Sequence, residues 1–231
     1  MEITFLGHAG VALKTAGQRI LIDPFITHHP GAQAAGLSVE SLELDELLLT
    51  HGHEDHVADA PAFAGRPGVV SIANYEVAMW LKSQGAHEVI PMNHGGVLQR
   101  PYGSVRMVNA VHSSTLPDGT PGGNPAGFII ESEGKRIYHA GDTALHLDME
   151  LIGRHWKPDL ALLPIGDCFT MGPEDALIAA AMIQCDRIVG IHVDTFPPIA
   201  LSDDRKARAV AAFAEAGKTL ILPSIGETFT V

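Results

Sequence analysis

The chain has 231 residues, enough for one large domain or two small halves, and 46% of them are hydrophobic, enough for a sizeable core. Its 15 basic and 27 acidic residues leave a formal charge of -12 with no basic run, which argues against nucleic-acid and anionic-membrane partners. No apolar stretch approaches a membrane span, no leader-like basic and apolar regions open the chain, and Cys168 and Cys185 are too few to staple it. The expectation is a cytoplasmic protein in a reducing compartment.

In chain order, residues 2–6, 10–14 and 19–22 read as a meander of short strands, with turns at Gly7 and Gly17. The stretch 28–43 reads as loop. Leu47-Leu48-Leu49 is a buried strand that runs into Thr50-His51-Gly52-His53-Glu54-Asp55-His56. A short helix over 57–64, a strand over 69–72, a helix over 75–84 and a strand over 88–91 follow. Strands near 104–111, 126–131 and 135–140 come next. Strands at 159–164, 187–192 and 218–222 then alternate with Ala-rich helices at 173–183 and 203–216. Pro173 in a first turn and Glu174-Asp175 beside it suit a helix N-terminus. The alternation predicts an α/β fold, read as one domain over 1–231, with no repeat or low-complexity segment visible.

The stretch 51–56 carries the chemistry. His51, His53, Asp55 and His56 are four metal-ligand side chains on one turn at the end of a buried strand. In extended chain His51 and His53 face one way, while Asp55 and His56 follow the turn and reach a second point nearby. That suits two metals better than one. Three more candidates each close an apolar run: His112 after 104–111, Asp142 after 135–141, and His192 after 187–191. Their convergence requires all these strands to end on one edge of the fold, where α/β proteins commonly place ligands.

With these motifs the chain resembles the metallo-β-lactamase superfamily, and within it the metal-dependent hydrolases related to L-ascorbate-6-phosphate lactonase. Further stretches carry the likeness: Phe5-Leu6-Gly7-His8, Ile22-Asp23-Pro24-Phe25, Pro91-Met92-Asn93, Gly123 to Gly127, Tyr138 to Thr143, Leu163 to Asp167, Phe169 to Asp175 and Ile191-His192. The resemblance implies a four-layer α/β/β/α sandwich. It implies His51, His53 and His112 on one metal, Asp55, His56 and His192 on the other, and Asp142 bridging. It also implies that Asp23 supports the metal loop from behind and that His8 lies near the site. Cys168 departs from the family pattern, which favours Asn there. Because residue 53 is His and not Glu, the set lacks the extra carboxylate of related di-iron oxygen and nitric-oxide reductases, which argues against redox chemistry.

Two divalent ions about 3.5–4 Å apart can share a hydroxide that is nucleophilic near neutral pH, and can polarise a carbonyl or phosphoryl oxygen. The expected reaction is hydrolysis of a small lactone, ester or phosphodiester. Asp55 is the candidate catalytic residue, orienting the hydroxide or passing a proton, or else only a ligand. His8, Asn124 and Thr170 are the candidate substrate contacts. Zinc is the expected metal, with manganese, iron or nickel as alternatives. The expected partner is a small molecule, with no nucleic acid and no membrane, and a homo-oligomer is left open. An RNA-processing nuclease and a metal-bearing binding protein without turnover are the competing classes. His139 reads as a buried structural histidine. His94 reads equally as a pocket or a turn residue. Residues 113–125, with Pro and Gly throughout, read as a loop that starts at the metal site and covers substrate.

Overall fold

The computed structural model describes residues 1–231. The first half contains β1 (Glu2–Gly7), β2 (Gly10–Thr15), β3 (Gln18–Ile22), α1 (Pro30–Ala34), β4 (Glu46–Leu48), α2 (Glu54–Val57), α3 (Ala60–Ala64), β5 (Val70–Asn74), α4 (Tyr75–Ser83) and β6 (Glu88–Met92). The second contains β7 (Val97–Arg100), β8 (Gly103–Asn109), β9 (Ala126–Ser132), β10 (Lys135–His139), α5 (Asp148–His155), β11 (Leu160–Pro164), α6 (Pro173–Met182), β12 (Arg187–Ile191), a 3-10 turn (Pro197–Ile199), α7 (Asp203–Glu215) and β13 (Thr219–Ile221). The last strand is β14 (Thr228–Thr230).

Two seven-stranded sheets result, in the orders β14-β1-β2-β3-β4-β5-β6 and β13-β12-β11-β10-β9-β8-β7. Each has the same plan: three antiparallel pairings followed by three parallel ones. This is a repeat of topology that the sequence does not display. The C-terminal strand β14 crosses back to complete the first sheet beside β1.

Side-chain alternation along each strand sets the layers. Ile20 and Ile22 of β3, with Phe128 and Ile130 of β9 and Leu160 and Leu162 of β11, fill one core between the sheets. Their neighbours point outward. Leu21 packs with Phe63, Val77 and Leu81 of the helices over the first sheet. Ile129, Ala161 and Leu163 pack with Ile152, Ala180 and Phe213 of those over the second. Helix, sheet, sheet, helix is the observed order, as the resemblance implied.

The local differences from the sequence reading have physical causes. The stretch 28–43 holds the short helix α1, with Pro30 in its first turn and His29 capping it. The helix expected over 57–64 is two short ones, α2 and α3, divided before Pro61, which stands at the second helix's start. Strand β7 and helix α5 were not expected at all: β7 alternates exposed and half-buried residues, and α5 opens with Asp148 and Glu150 on a half-polar stretch.

Candidate metal centre

The candidate ligands lie where strands of both sheets end on one edge. His53 is the last extended residue before α2 (φ -67°, ψ 149°), so His51 and His53 precede the helix while Asp55 and His56 sit in its first turn. His8 follows β1, His112 follows β8, Asp142 follows β10 and His192 follows β12. Asp142 can stand there because Gly141 precedes it with φ 62°, and a Cβ on Gly141 would lie 2.8 Å from the Ala126 carbonyl and 2.9 Å from Thr50.

The side chains form two groups, each with its ligand atoms within 4.8 Å of one another: His51, His53, His112 and Asp142, and His8, Asp55, His56 and His192. Asp142 Oδ2 joins them. It lies 3.5 Å from His112 Nε2 and 3.9 Å from His51 Nε2, and also 3.4 Å from His56 Nε2 and 3.0 Å from His192 Nε2. The arrangement suits cations. His51 Nε2 and His53 Nδ1 face each other at 3.0 Å, where one proton at most can lie between them. Asp142 Oδ1, His56 Nε2 and His192 Nδ1 are buried with no hydrogen-bond partner. Buried polar atoms are seldom left so in a finished fold.

A second layer of contacts orients the rings. Asp23 Oδ2 accepts from His56 Nδ1 at 2.8 Å and from the Thr50 hydroxyl at 2.6 Å, and Asp23 Oδ1 accepts from the Thr50 amide at 2.8 Å. His8 is 1% exposed, with Nε2 2.9 Å from Asp55 Oδ2 and Nδ1 2.9 Å from Thr195 Oγ1. The His192 amide donates to the His8 carbonyl at 2.8 Å, which ties the two sheets together at this edge. His8, Asp23 and His192 have φ of 55°, 44° and 53°. Non-glycine residues rarely adopt this region, and such strain gathers at functional sites.

The electrostatics divide the rings. Burial pushes His51, His53 and His112 below the ordinary imidazole value, and His8 down to about 4. Burial also opposes charge on His56 and His192, but carboxylates outweigh it. Asp142 and Asp23 hold His56 well above the ordinary value, and Asp142 with Asp55 raises His192 to about 9. Burial disfavours charge on Asp142 and Asp55 as well, yet the facing imidazoles keep both well below the usual carboxylate range. Without metal, the centre is held by ion pairs that a divalent cation would replace.

The remaining sequence candidates fall elsewhere. Asn124 and Thr170 belong to neither group. Asn124 is exposed and meets the fold through its carbonyl, which accepts from Asn74 Nδ2 at 2.9 Å; the Thr170 hydroxyl turns to the Met171 carbonyl at 3.3 Å. His139 is fully buried, with Nε2 2.9 Å from the Ala9 carbonyl, and His94 Nε2 lies 2.9 Å from the Pro125 carbonyl. Two contacts escaped the sequence reading. Ser113 Oγ lies 3.2 Å from His53 Nε2, and Ser114 Oγ accepts from the Gly52 amide at 3.0 Å. Their position directly after His112 was the available signal.

Comparison with known proteins agrees with this geometry. The family described as Beta-lactamase superfamily domain matches residues 18–193. A protein of Flavobacterium johnsoniae named UPF0173 metal-dependent hydrolase is 48% identical over 228 residues, covering 99% of each chain. A Thermus thermophilus protein of the same name is 49% identical over 199 residues, 86% of each. Among solved structures, Igni18, a metallo hydrolase from Ignicoccus hospitalis, superposes with a TM-score of 0.87 at 33% identity, over 100% of this chain and 98% of that one. The fold, the convergent histidines and aspartates and these likenesses together place the chain in the β-lactamase superfamily, among its metal-dependent hydrolases of the metallo-β-lactamase fold.

Proposed function

We propose that this chain, acting as a single domain over 1–231, is a binuclear hydrolase of a small lactone, ester or phosphodiester in the cytoplasm, with zinc as the metal. The observation that carries this reading is the position of Asp142 Oδ2, within 3.9 Å of imidazoles from both groups. His51, His53 and His112 would hold one ion, Asp55, His56 and His192 the other, and Asp142 both. When bound, the pair of ions supplies a water acidified towards neutral pH and a Lewis-acid contact for the developing oxyanion.

The chain's own residues supply the rest. Asp55 is the one carboxylate of the centre with substantial exposure, its side chain 26% accessible against 2% for Asp142. His8 fixes its Oδ2, leaving Oδ1 to take the proton of the attacking water and return it to the leaving group. Asp23 and Thr50 keep His56 in place during this exchange. The formal charge of -12 favours a small-molecule substrate over RNA.

The test is elemental analysis of protein purified without chelator, followed by assay of the reconstituted enzyme on lactones, carboxylic esters and phosphodiesters. Two ions per chain and turnover in one class are expected. A stoichiometry that never exceeds one ion defeats the binuclear reading, and two ions without hydrolysis of any class defeats the catalytic one.

A further inference from the structure

Behind His8 lies a cavity of about 500 Å³, and of the residues in the two metal groups only His8 lines it. The volume is in the range of small-molecule sites. Its walls come from the ends of β1, β11, β12 and β13, the start of α1 and one residue of α7. Phe5, Ile165, Val193, Leu222 and Ile225 give it apolar surface. Its one cation, Lys206, lies 2.6 Å from the carboxylate of Asp194, so these walls carry no unbalanced charge. The His8 ring divides the cavity from the metal residues, with Nε2 on Asp55 and Nδ1 on Thr195, itself a lining residue.

One wall residue has an unused donor. His29 is 6% exposed, and its Nδ1 accepts from the amides of Gly31 at 3.1 Å and Ala32 at 3.3 Å. An imidazole nitrogen that accepts carries no proton, so the ring proton lies on Nε2. Burial lowers the His29 pKa, which keeps the ring neutral at pH 7. Nε2 has no protein partner. It sits 2.6 Å from where a Cβ on Gly7 would stand, and Gly7 is also a lining residue. Glycine at position 7, with φ 102°, leaves room for that imidazole edge.

We propose that this cavity is a second ligand site, which binds a small, uncharged, largely apolar molecule through one hydrogen-bond acceptor, a carbonyl or ether oxygen, held by His29 Nε2–H. The apolar walls supply most of the affinity and the unpartnered His29 Nε2–H supplies selectivity, since leaving it unpaired against a hydrocarbon forfeits a hydrogen bond. The balanced walls give an anion no compensation for lost hydration. The site does not depend on the hydrolase reading, because His29 and the apolar wall residues belong to neither metal group.

The experiment follows the methyl resonances of Ile165 and Ile225 in the intact, metal-loaded protein during titration with acetophenone, ethylbenzene and benzoate. Acetophenone should shift both methyls saturably and bind about fivefold more tightly than ethylbenzene, the effect of one neutral hydrogen bond. Benzoate should bind more weakly than acetophenone. His29→Asn keeps an acceptor at the helix cap, while its shorter side chain carries no N–H as far as the position of Nε2. It should bring the two neutral probes to equal affinity by weakening acetophenone alone. Leu222→Trp, at a 36% exposed rim position, should weaken all probes without touching the core. Absence of saturable shifts, equal affinities of acetophenone and ethylbenzene for the unaltered protein, tighter binding of benzoate, or indifference to Leu222→Trp would each overturn the proposal. Should His29→Asn fail to fold, the probe ranking and Leu222→Trp still decide it.

Discussion

His56 Nδ1 donates to Asp23 Oδ2 at 2.8 Å, which leaves His56 Nε2 as the nitrogen aimed at Asp142. The tautomer and the direction of the lone pair are therefore set by a residue 33 positions earlier, at the end of β3. Supporting carboxylates of this kind raise ligand basicity and fix ring orientation.

Asp23→Asn should accordingly weaken one metal while leaving the fold in place. The amide oxygen can still accept from Thr50, and Asn tolerates the left-handed backbone at φ 44°. The amide nitrogen cannot accept from His56. Chelator competition should show a loss of about 10- to 100-fold in affinity for one ion of the pair. Affinities unchanged for both ions would mean that His56 does not depend on Asp23.

Metal loading should release protons. His56 and His192 are held protonated by Asp142 with Asp23 and by Asp142 with Asp55, although burial opposes this; the His192 value is about 9. A metal takes the neutral ring, so these protons must leave. The sign follows: a raised folded-state pKa means affinity is lost as pH falls below about 9, by up to about tenfold per pH unit for each proton displaced. Calorimetric titration at pH 7.5 in two buffers of different ionisation enthalpy should give different heats. Identical heats would show the rings already neutral before metal arrives.

The sequence shows the ligands more clearly than their supports, for a physical reason. His51, His53, Asp55 and His56 lie within six positions after a run of three leucines, so one local pattern carries both strand end and ligand type. The layers come only from the resemblance: Ile20, Leu21 and Ile22 point to opposite cores but are all apolar, so their run marks a buried strand without showing which core each side chain enters. Contacts across the two sheets leave no such trace. Nothing local reveals that the His8 carbonyl accepts from the His192 amide, or that Thr195 meets His8 across 187 positions. Strand β7 stayed hidden because it lies at a sheet edge, half exposed, where little selects an apolar period.

A buried bolt joins the sheets far from the metals. Glu46 of β4 is 2% exposed and accepts from the Tyr102 hydroxyl and from Arg100 Nε, both contributed by the second sheet's β7–β8 hairpin. Burial raises the Glu46 pKa, and the two donors offset only part of that. The folded state thus disfavours the charged form, so this group's contribution is best below the ordinary carboxylate value of about 4.3 and declines as pH rises through the raised one. Tyr102→Phe removes a donor to the carboxylate and should cost about 1–3 kcal/mol when Glu46 is charged. Urea unfolding should show a larger loss at pH 8 than at pH 4. Equal losses at both would show that the carboxylate charge plays no part in the bolt.

The 113–125 segment is clamped at both ends, which sharpens the expectation of a loop covering substrate. Leu116 is 3% exposed and packs into the core beneath the first sheet's helices; its side chain comes within 3.0 Å of where a Cβ on Gly52 would stand. Ser114 holds the Gly52 amide, and Asn74 Nδ2 donates to the carbonyls of Gly122 at 2.7 Å and Asn124 at 2.9 Å. Replacing 115–122 by a short Gly linker would therefore delete a core side chain along with the cover. Leu116→Ala alone should cost about 2–4 kcal/mol of stability. Ser114→Ala separates the two roles, since it leaves the core intact and removes only the partner of the Gly52 amide. Hydrogen exchange at Gly52 should accelerate in Ser114→Ala at nearly unchanged global stability, with weaker metal binding at the His51–His53 pair that flanks it. If exchange at Gly52 stays as slow as in the unaltered protein, the segment does not hold the metal loop, and its place beside His53 is that of a connector.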